Sequence, residues 1–343
     1  MWLMNLFYAL SPYNSHNRAG KAYRSLIREC HSLVQSVKAA DLVILHIEPN
    51  DYGAIYESYS ILKERYVIAY CVWEADDLPD AYKRSLSYVQ EIWAPSHYCK
   101  ALFEKYHPRV LRMPHVIDRD MVCPDRDRAI VLQKIGHNPD YIYYLMITRM
   151  WDKRKNTGAL INAFVNLRKR MPDARLIVKA SAKDRAPSLS DPRIIFLCEQ
   201  MGWSQITALY ECADVYVSPH HSEGWGLTMS DALLFRKPAI ATGYSGNLDF
   251  MSKDNSFLLD FREEFIRSED IFGHFTARMK WAYPSQKDLE EKLLFLYELR
   301  DDRRVSQEVH QKAEASADIG RFAPAVVGQL VRNRLDELER GYS

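Results

Sequence analysis

Residues 215–247 read VYVSPHHSEGWGLTMSDALLFRKPAIATGYSGN, and this stretch decides the fold. The apolar run 215–218 has the length and β-branched content of a buried strand. A loop, Glu223-Gly224-Trp225-Gly226-Leu227-Thr228, follows it and runs into a helical pattern over 229–235. Glycines in a loop at the C-terminal edge of a strand let backbone approach a ligand closely, and the free N–H groups of the helix it opens favour an anion. A phosphate is expected there. Asp231 stands eight residues beyond Glu223. Two carboxylates so spaced can accept hydrogen bonds from hydroxyls at the two ends of a sugar nucleotide, although acids also gather at helix starts for electrostatic reasons alone.

The same grammar extends outward in both directions. Short apolar runs at 3–10, 42–47, 66–73, 91–95 and 110–116, then at 141–148, 174–180, 194–197, 238–242 and 257–259, alternate with segments of helical period such as 22–37. This alternation predicts α/β architecture with βαβ units around parallel sheets, in two Rossmann-like halves. The expected division is an N-terminal domain over 1–120, a polar linker with a short helix over 121–139, a C-terminal domain over 140–320, and a closing helix over 321–343 that crosses back to the first domain. After Asp260 the pattern reads as almost purely helical and charged.

A second candidate segment opens the second half: Thr148-Arg149-Met150-Trp151-Asp152-Lys153-Arg154-Lys155-Asn156. It too joins a strand to a helical pattern. Arg149 and Lys155 at the strand's C-terminal edge could clamp a diphosphate and stabilise negative charge on a leaving group, or the basic run could be a solvated loop.

Composition narrows the alternatives. In 343 residues, 47% are hydrophobic and 27% charged, which suits a globular chain of two cores. Forty-six basic residues against 45 acidic ones leave no field that favours nucleic acid. The six cysteines are scattered without a CxxC pair, so neither a zinc site nor a redox motif is expected. No GxGxxG follows the first strand, which disfavours a dinucleotide oxidoreductase. The apolar N-terminus reads as a buried strand rather than a signal sequence. The expected location is cytoplasmic, with a peripheral membrane contact through Lys21, Arg24, Arg28 and Lys38 on the 22–38 helix as the alternative to a plain core-facing helix.

Residues 215–247 resemble the donor-site segment of the retaining glycosyltransferases of family 4 (glycosyl transferases group 1), which have the GT-B fold of two Rossmann-like domains facing a central cleft. TRMWDKRKNTGALINAF at 148–164 resembles the segment that opens the C-terminal domain in that family. The likeness extends more weakly to VWEADDLPDAY at 72–82, EIWAPSHYCKALFEKY at 91–106 and MKWAYPSQKDLEEKLLFLY at 279–297.

The resemblance implies roles by position. Glu223 matches the first acid of the family's E-x7-E motif, a donor-sugar contact, and Gly224, Trp225, Gly226, Leu227 and Thr228 supply the loop that meets sugar and phosphate. Asp231 stands where the second acid, the ribose ligand, is usually glutamate. Arg149 and Lys155 match the basic pair that holds the diphosphate. Backbone near Met201 corresponds to the base-binding segment, Asn247 to a loop that approaches the donor, and Glu74 to an acceptor or donor-sugar contact. The implied activity is metal-independent hexosyl transfer from a nucleoside-diphosphate sugar, of UDP or GDP type, to a saccharide or lipid-linked hydroxyl acceptor, with no cofactor. No nucleophile stands out, so a front-face route assisted by the leaving phosphate is expected. A non-catalytic scaffold that kept the fold is the competing reading. His46, His115 and His221 end or follow strands and read as structural. Asp118-Arg119-Asp120 and Asp125-Arg126-Asp127 formally match the Asp-x-Asp motif of metal-dependent transferases, but sit in the expected linker and read as solvated surface; no metal is expected.

Overall fold

The computed structural model describes residues 4–12, 14–118, 123–299 and 301–342. The chain divides into two compact units, one of Met1–Asp118 with Gly320–Ser343 and one of Arg119–Ile319.

The first unit is built on six parallel strands: β1 (Asn5–Leu10), β2 (Ser32–Leu33), β3 (Leu42–His46), β4 (Tyr66–Tyr70), β5 (Glu91–Ala94) and β6 (Val110–Arg112), in the order β2-β1-β3-β4-β5-β6. β3 is buried along its whole length. A parallel strand covered on both faces has no polar side to present, which is why Leu42-Val43-Ile44-Leu45 is a continuous apolar run rather than an alternation. The helix Pro324–Tyr342 packs against the helix Asn14–Arg28. Gly328 sits at that contact, where a Cβ would stand 3.3 Å from Leu26. Further along the same helix, Arg334 Nε donates to Glu91 Oε1 at 3.0 Å. Glu91 is fully buried, and it also accepts from Trp93 Nε1 at 2.7 Å and Tyr66 Oη at 3.0 Å. A carboxylate taken out of water needs such compensation.

One helix differs from the expectation of 22–37. It runs Asn14–Arg28, and Ser32 and Leu33 instead form the edge strand β2, paired with Asn5 and Leu6. Leu33, Val34 and Val37 happened to continue the helical spacing of Tyr23, Leu26 and Ile27, while the true start is polar and carries no apolar signal. Lys38 therefore lies in a separate short turn, Val37–Ala39, and is not part of the helix's basic face.

The second unit repeats the plan with β7 (Ile142–Ile147), β8 (Ala174–Ala180), β9 (Ile194–Cys198), β10 (Val215–Ser218), β11 (Ala239–Thr242) and β12 (Phe257–Leu259), all parallel in the order β12-β11-β10-β7-β8-β9. Tyr144, Met146, Leu176, Val178, Val215 and Val217 pack with Leu160 and Phe164 of the helix Thr157–Asn166 and with Leu289, Leu293 and Leu296 of the helix Gln286–Tyr297. The one phenol in this cluster is satisfied, since Tyr144 Oη donates to the Leu293 carbonyl at 2.7 Å. The helix Asp125–Lys134 packs on the helix Trp203–Cys212, with Asp127 bonded to Ser204.

The segment after Asp260 is a second departure from expectation. β13 (Phe261–Phe265) and β14 (Lys280–Pro284) form an antiparallel ribbon before the helices Gln286–Tyr297 and Arg303–Ala315 begin. β13, FREEF, is exposed at four of its five residues, so its charges mimic a solvated helix. Its partner carries the buried side: Trp281 is fully buried and lies nearly parallel to the His221 ring.

Candidate functional site

In the second sheet the strand order reverses between β7 and β10, because β8 and β9 extend to one side and β11 and β12 to the other. Loops that leave neighbouring strands in opposite directions open a crevice at the carboxyl ends, where open α/β sheets bind ligands. The two loops that do so here are the two singled out in the sequence, after β7 and after β10.

The loops meet at Glu223. Its carboxylate is buried and contacts the Lys155 ammonium through Oε1, while Oε2 lies 3.7 Å from Arg154 Nη1. Burial alone would raise the Glu223 carboxyl, but Lys155 and Arg154 outweigh it and hold it down to about 2. Glu223 is thus ionised at neutral pH, with its hydrogen-bond acceptors fixed in place. Arg154 is itself held from the other side. Its Nη2 donates to Asp152 Oδ2 at 2.8 Å and its Nη1 to the Ser222 carbonyl at 3.3 Å. The left-handed turn at Asn156, with φ of 51°, brings Lys155 round before the helix Thr157–Asn166 starts.

Backbone packing explains the glycines. Gly246 N–H donates to the Glu223 carbonyl at 2.8 Å, and a Cβ on Gly246 would stand 2.2 Å from the Gly224 carbonyl oxygen. Only glycine fits at such a crossing of two chains. Ser245 Oγ accepts from the Glu223 N–H at 2.8 Å, so the 245–246 turn fixes that loop at two points. Gly226 adopts φ of 97° immediately before the helix Leu227–Leu234. The Leu227 and Thr228 amides come too early in that helix to have a partner in its own ladder and face outward from its start, whereas Met229 N–H already bonds to the Gly226 carbonyl at 3.0 Å. Thr228 is anchored, since its Oγ1 accepts from Tyr216 Oη at 2.7 Å.

The other expected residues fall as follows. Asp231 lies on the helix Leu227–Leu234 and is 2% exposed, more enclosed than Glu223 at 7%. After burial, Glu223 and Asp231 are among the groups that raise the Tyr216 phenol, which places both within electrostatic reach of one hydroxyl. Arg149 begins the loop after β7, is partly exposed, and its guanidinium makes no ion pair among the described residues. Met201 is buried in the turn before the helix Trp203–Cys212. Trp225 packs on Phe250 with ring centroids 4.9 Å apart. Asn247 is fully buried, and its amide is committed to the loop: Nδ2 donates to the Thr242 carbonyl at 3.0 Å, and Oδ1 lies 3.2 Å from His220 Nε2. Glu74 is in the first unit, half-buried on the loop after β4.

The three histidines at strand ends, His46, His115 and His221, are buried. His46 is buried between the Tyr8 hydroxyl, 2.8 Å from Nδ1, and the Tyr70 ring, stacked at 4.2 Å. His115 Nδ1 lies 3.0 Å from Tyr70 Oη. Burial holds His115 down to about 3 and His221 to about 4, so both are neutral at pH 7. His221 Nδ1 donates to the Ala282 carbonyl at 2.8 Å, which ties the loop after β10 to the ribbon. Of the two Asp-x-Asp matches, Arg119 and Asp120 lie outside the described residues, and Asp125 and Asp127 start a helix. No group of three or more metal-ligating side chains gathers among the described residues.

Ser245 and Gly246 are visible in the sequence only through the resemblance of the Ser245-Gly246-Asn247 loop to a donor-approaching segment, and Arg154 is one of several basic residues in a row. Asp152, two residues earlier, holds Arg154 locally, but the Ser222 carbonyl and the Glu223 carboxylate that it turns toward lie across the fold, where spacing does not reach.

Comparisons with known proteins bear on the fold. Residues 142–267 match the family model for glycosyl transferases group 1. The chain aligns with the crystal structure of Anabaena HepE in complex with UDP-glucose at a TM-score of 0.69 and 15% identity, over 98% of this chain and 100% of that one. It aligns with a glycosyltransferase from Rickettsia africae at 0.68 and 12%, over 98% of each chain. With WaaG, a glycosyltransferase involved in lipopolysaccharide biosynthesis, the TM-score is 0.63 at 14% identity, over 95% of this chain and 99% of that one. No curated protein sequence matches the chain. The fold is therefore that of the GT-B glycosyltransferases, two Rossmann-like units with parallel sheets.

Proposed function

We propose that this chain is a retaining glycosyltransferase that moves a hexosyl group from a nucleoside-diphosphate sugar to a hydroxyl acceptor, without a metal or cofactor, in the synthesis of a glycan, polysaccharide or glycolipid. The observation that carries the reading is the buried, ionised Glu223 carboxylate, gripped by Lys155 and Arg154 in the crevice between β7 and β10, beside a glycine-opened helix start. The neighbours HepE and GtfA are described with UDP and a sugar, which favours a UDP donor here.

In this reading Glu223 accepts hydrogen bonds from the donor sugar's hydroxyls, and the diphosphate lies against the amides of residues 226–228 and the unpaired Arg149. Lys155 is shared between Glu223 and the phosphate once donor is bound. As the bond from the anomeric carbon to phosphate breaks, positive charge grows on the sugar ring and negative charge on the leaving phosphate. Arg149, Lys155 and the helix start stabilise the latter. The acceptor oxygen attacks on the face that the phosphate leaves, and the departing phosphate oxygen takes the acceptor proton, which preserves the anomeric configuration. Asp231 serves the ribose, with Met201 backbone near the base and Asn247 holding the loop. Glu74 is assigned to a hydroxyl of acceptor or donor sugar. The working location is cytoplasmic, with no nucleic-acid partner; among the described residues no helix is long and apolar enough to cross a membrane.

The test is calorimetric binding of UDP- and GDP-sugars, with donor hydrolysis and transfer followed by release of the nucleotide, in wild type and Glu223→Ala. Tight binding of one nucleotide with turnover that falls at least about 100-fold in the variant is expected, the scale of losing a positioned electrostatic contact. Binding without turnover for every donor and acceptor would instead favour the scaffold reading.

A further inference from the structure

A second cavity, of about 610 Å³, lies beside the crevice within the same unit, between the start of the helix Thr157–Asn166 and the ribbon β13–β14. Cofactor and small-ligand sites span roughly 300–1,000 Å³, so its size suits one or two sugar rings. The ribbon that makes its outer wall is absent from the sequence expectation, and nothing in the mechanism uses it. Two of its lining residues tie it to the site already described: Asn156 follows Lys155, and His221 precedes Glu223 by two positions.

The chemistry of the lining is specific. Asp260, Glu264, Glu269 and Asp270 set against Arg262 and Arg267 give an excess of negative charge, which disfavours a phosphate or an anionic lipid. Glu264, Arg267, Asp270 and Tyr283 are already engaged with one another: Arg267 Nη2 donates to Glu264 Oε2 at 2.9 Å, and Tyr283 Oη donates to Asp270 Oδ2 at 3.0 Å. They form a rigid wall. Asp260 and Arg262 differ, since neither side chain has a hydrogen bond or ion pair among the described residues, and both are exposed. Between them in sequence, Phe261 is 38% exposed, with Tyr244 packed edge-on to its ring at 5.3 Å. A free carboxylate and a free guanidinium two residues apart at the start of one strand fall on the same side of the ribbon, the side of Tyr283, and supply an acceptor fork and a donor fork, whereas the Phe261 ring between them faces the other side. The hydroxyl rim of a pyranose, which both donates and accepts, presents that complement.

We propose that this cavity is a saccharide-binding site for neutral sugar units, separate from the donor crevice, with Asp260 and Arg262 as its recognition residues. Its assignment to the acceptor glycan rests on the glycosyl-transfer reading; binding of a neutral saccharide does not. The site would hold sugar units at a distance from the hydroxyl that reacts, and so select the chain to be extended rather than perform the chemistry.

The experiment is saturation-transfer NMR and calorimetry of the full chain with a panel of neutral and phosphorylated oligosaccharides, in wild type and in Asp260→Ala/Arg262→Ala, with Arg262→Met as a second variant. UDP affinity is measured in parallel to show that each variant is folded and retains the donor site. A neutral oligosaccharide that binds wild type and weakens at least about tenfold in both variants, with UDP affinity unchanged, is the expected result. No binding of any neutral member at millimolar concentration, binding unaffected by the substitutions, or preference for the phosphorylated members overturns the proposal. If saccharide binding follows the expected pattern while no donor is turned over, it is the glycosyl-transfer reading that fails and this site that stands.

Discussion

Deleting the Lys155 charge isolates the interaction on which the crevice is built. Lys155→Met keeps most of the stem and removes the ammonium that Glu223 contacts. At about 1.4 kcal/mol for each pH unit by which a carboxyl is held below its ordinary 4.5, a value of about 2 corresponds to roughly 3 kcal/mol. Burial opposes that effect, and Arg154 and His220 act beside Lys155; a coupling on the order of 2 kcal/mol is assigned to Lys155 from the range measured for close, buried charge pairs. The folded-state value is depressed. The stabilisation is therefore complete above pH 4.5 and is lost as pH falls from there through about 2. A double-mutant cycle of Lys155→Met, Glu223→Gln and the pair, read by urea unfolding, is expected to give a coupling of about 2 kcal/mol at pH 7 and about 1 kcal/mol at pH 3. A chain of two units need not unfold in one step, so the transition to follow is the one that Glu223→Gln displaces. Coupling below about 0.5 kcal/mol at pH 7, the level of an ordinary exposed pair, would refute the reasoning. So would a coupling that stays constant between the two pH values.

Other perturbations probe separate features. Gly246→Ala forces a Cβ against the Gly224 carbonyl; about 2 kcal/mol or more of lost stability in the second unit is expected from thermal unfolding and, under the proposed function, a fall in UDP affinity by calorimetry. Arg334→Ala removes the charge partner of the buried Glu91 carboxylate and is expected to cost about 3–5 kcal/mol in the first unit while, under the proposed function, leaving UDP affinity in place; a variant as stable as wild type by urea unfolding would count against that assignment. Under the proposed function, saturating EDTA leaves the rate of sugar transfer unchanged, and a loss restored by magnesium or manganese would contradict metal independence.

The strand runs were the most legible part of the fold, because parallel strands covered on both faces are mostly apolar: β3, β7, β8 and β10 all fall within runs visible in the sequence, even with Arg175 and Lys179 inside β8. What failed to show was any element whose identity rests on partners rather than on its own pattern. β2 is two residues long and exists because Asn5 and Leu6 pair with it. β13 is charged and exposed, and its partner β14 lies beyond the fourteen residues 266–279, too long a connection to read as a hairpin turn. In the candidate site, Glu223 and Lys155 were visible as charged residues at strand ends, but their mutual contact was not. The inward turn of Arg154 and the close crossing of Gly246 over Gly224 depend on two loops far apart in sequence and adjacent in space.

The last helix raises a question of timing. Residues 320–342 complete the first unit: the Ile117 N–H bonds to the Phe322 carbonyl at 2.9 Å, and Gly328 and Arg334 dock on elements made hundreds of residues earlier. During synthesis from the N-terminus, the first sheet must therefore wait, with one side of its cover missing, while the whole second unit is made. The unit begun first is finished last. The second unit, continuous in sequence, has every strand in hand before that helix emerges, so the crevice around Glu223 can form while the first unit still lacks its closing helix.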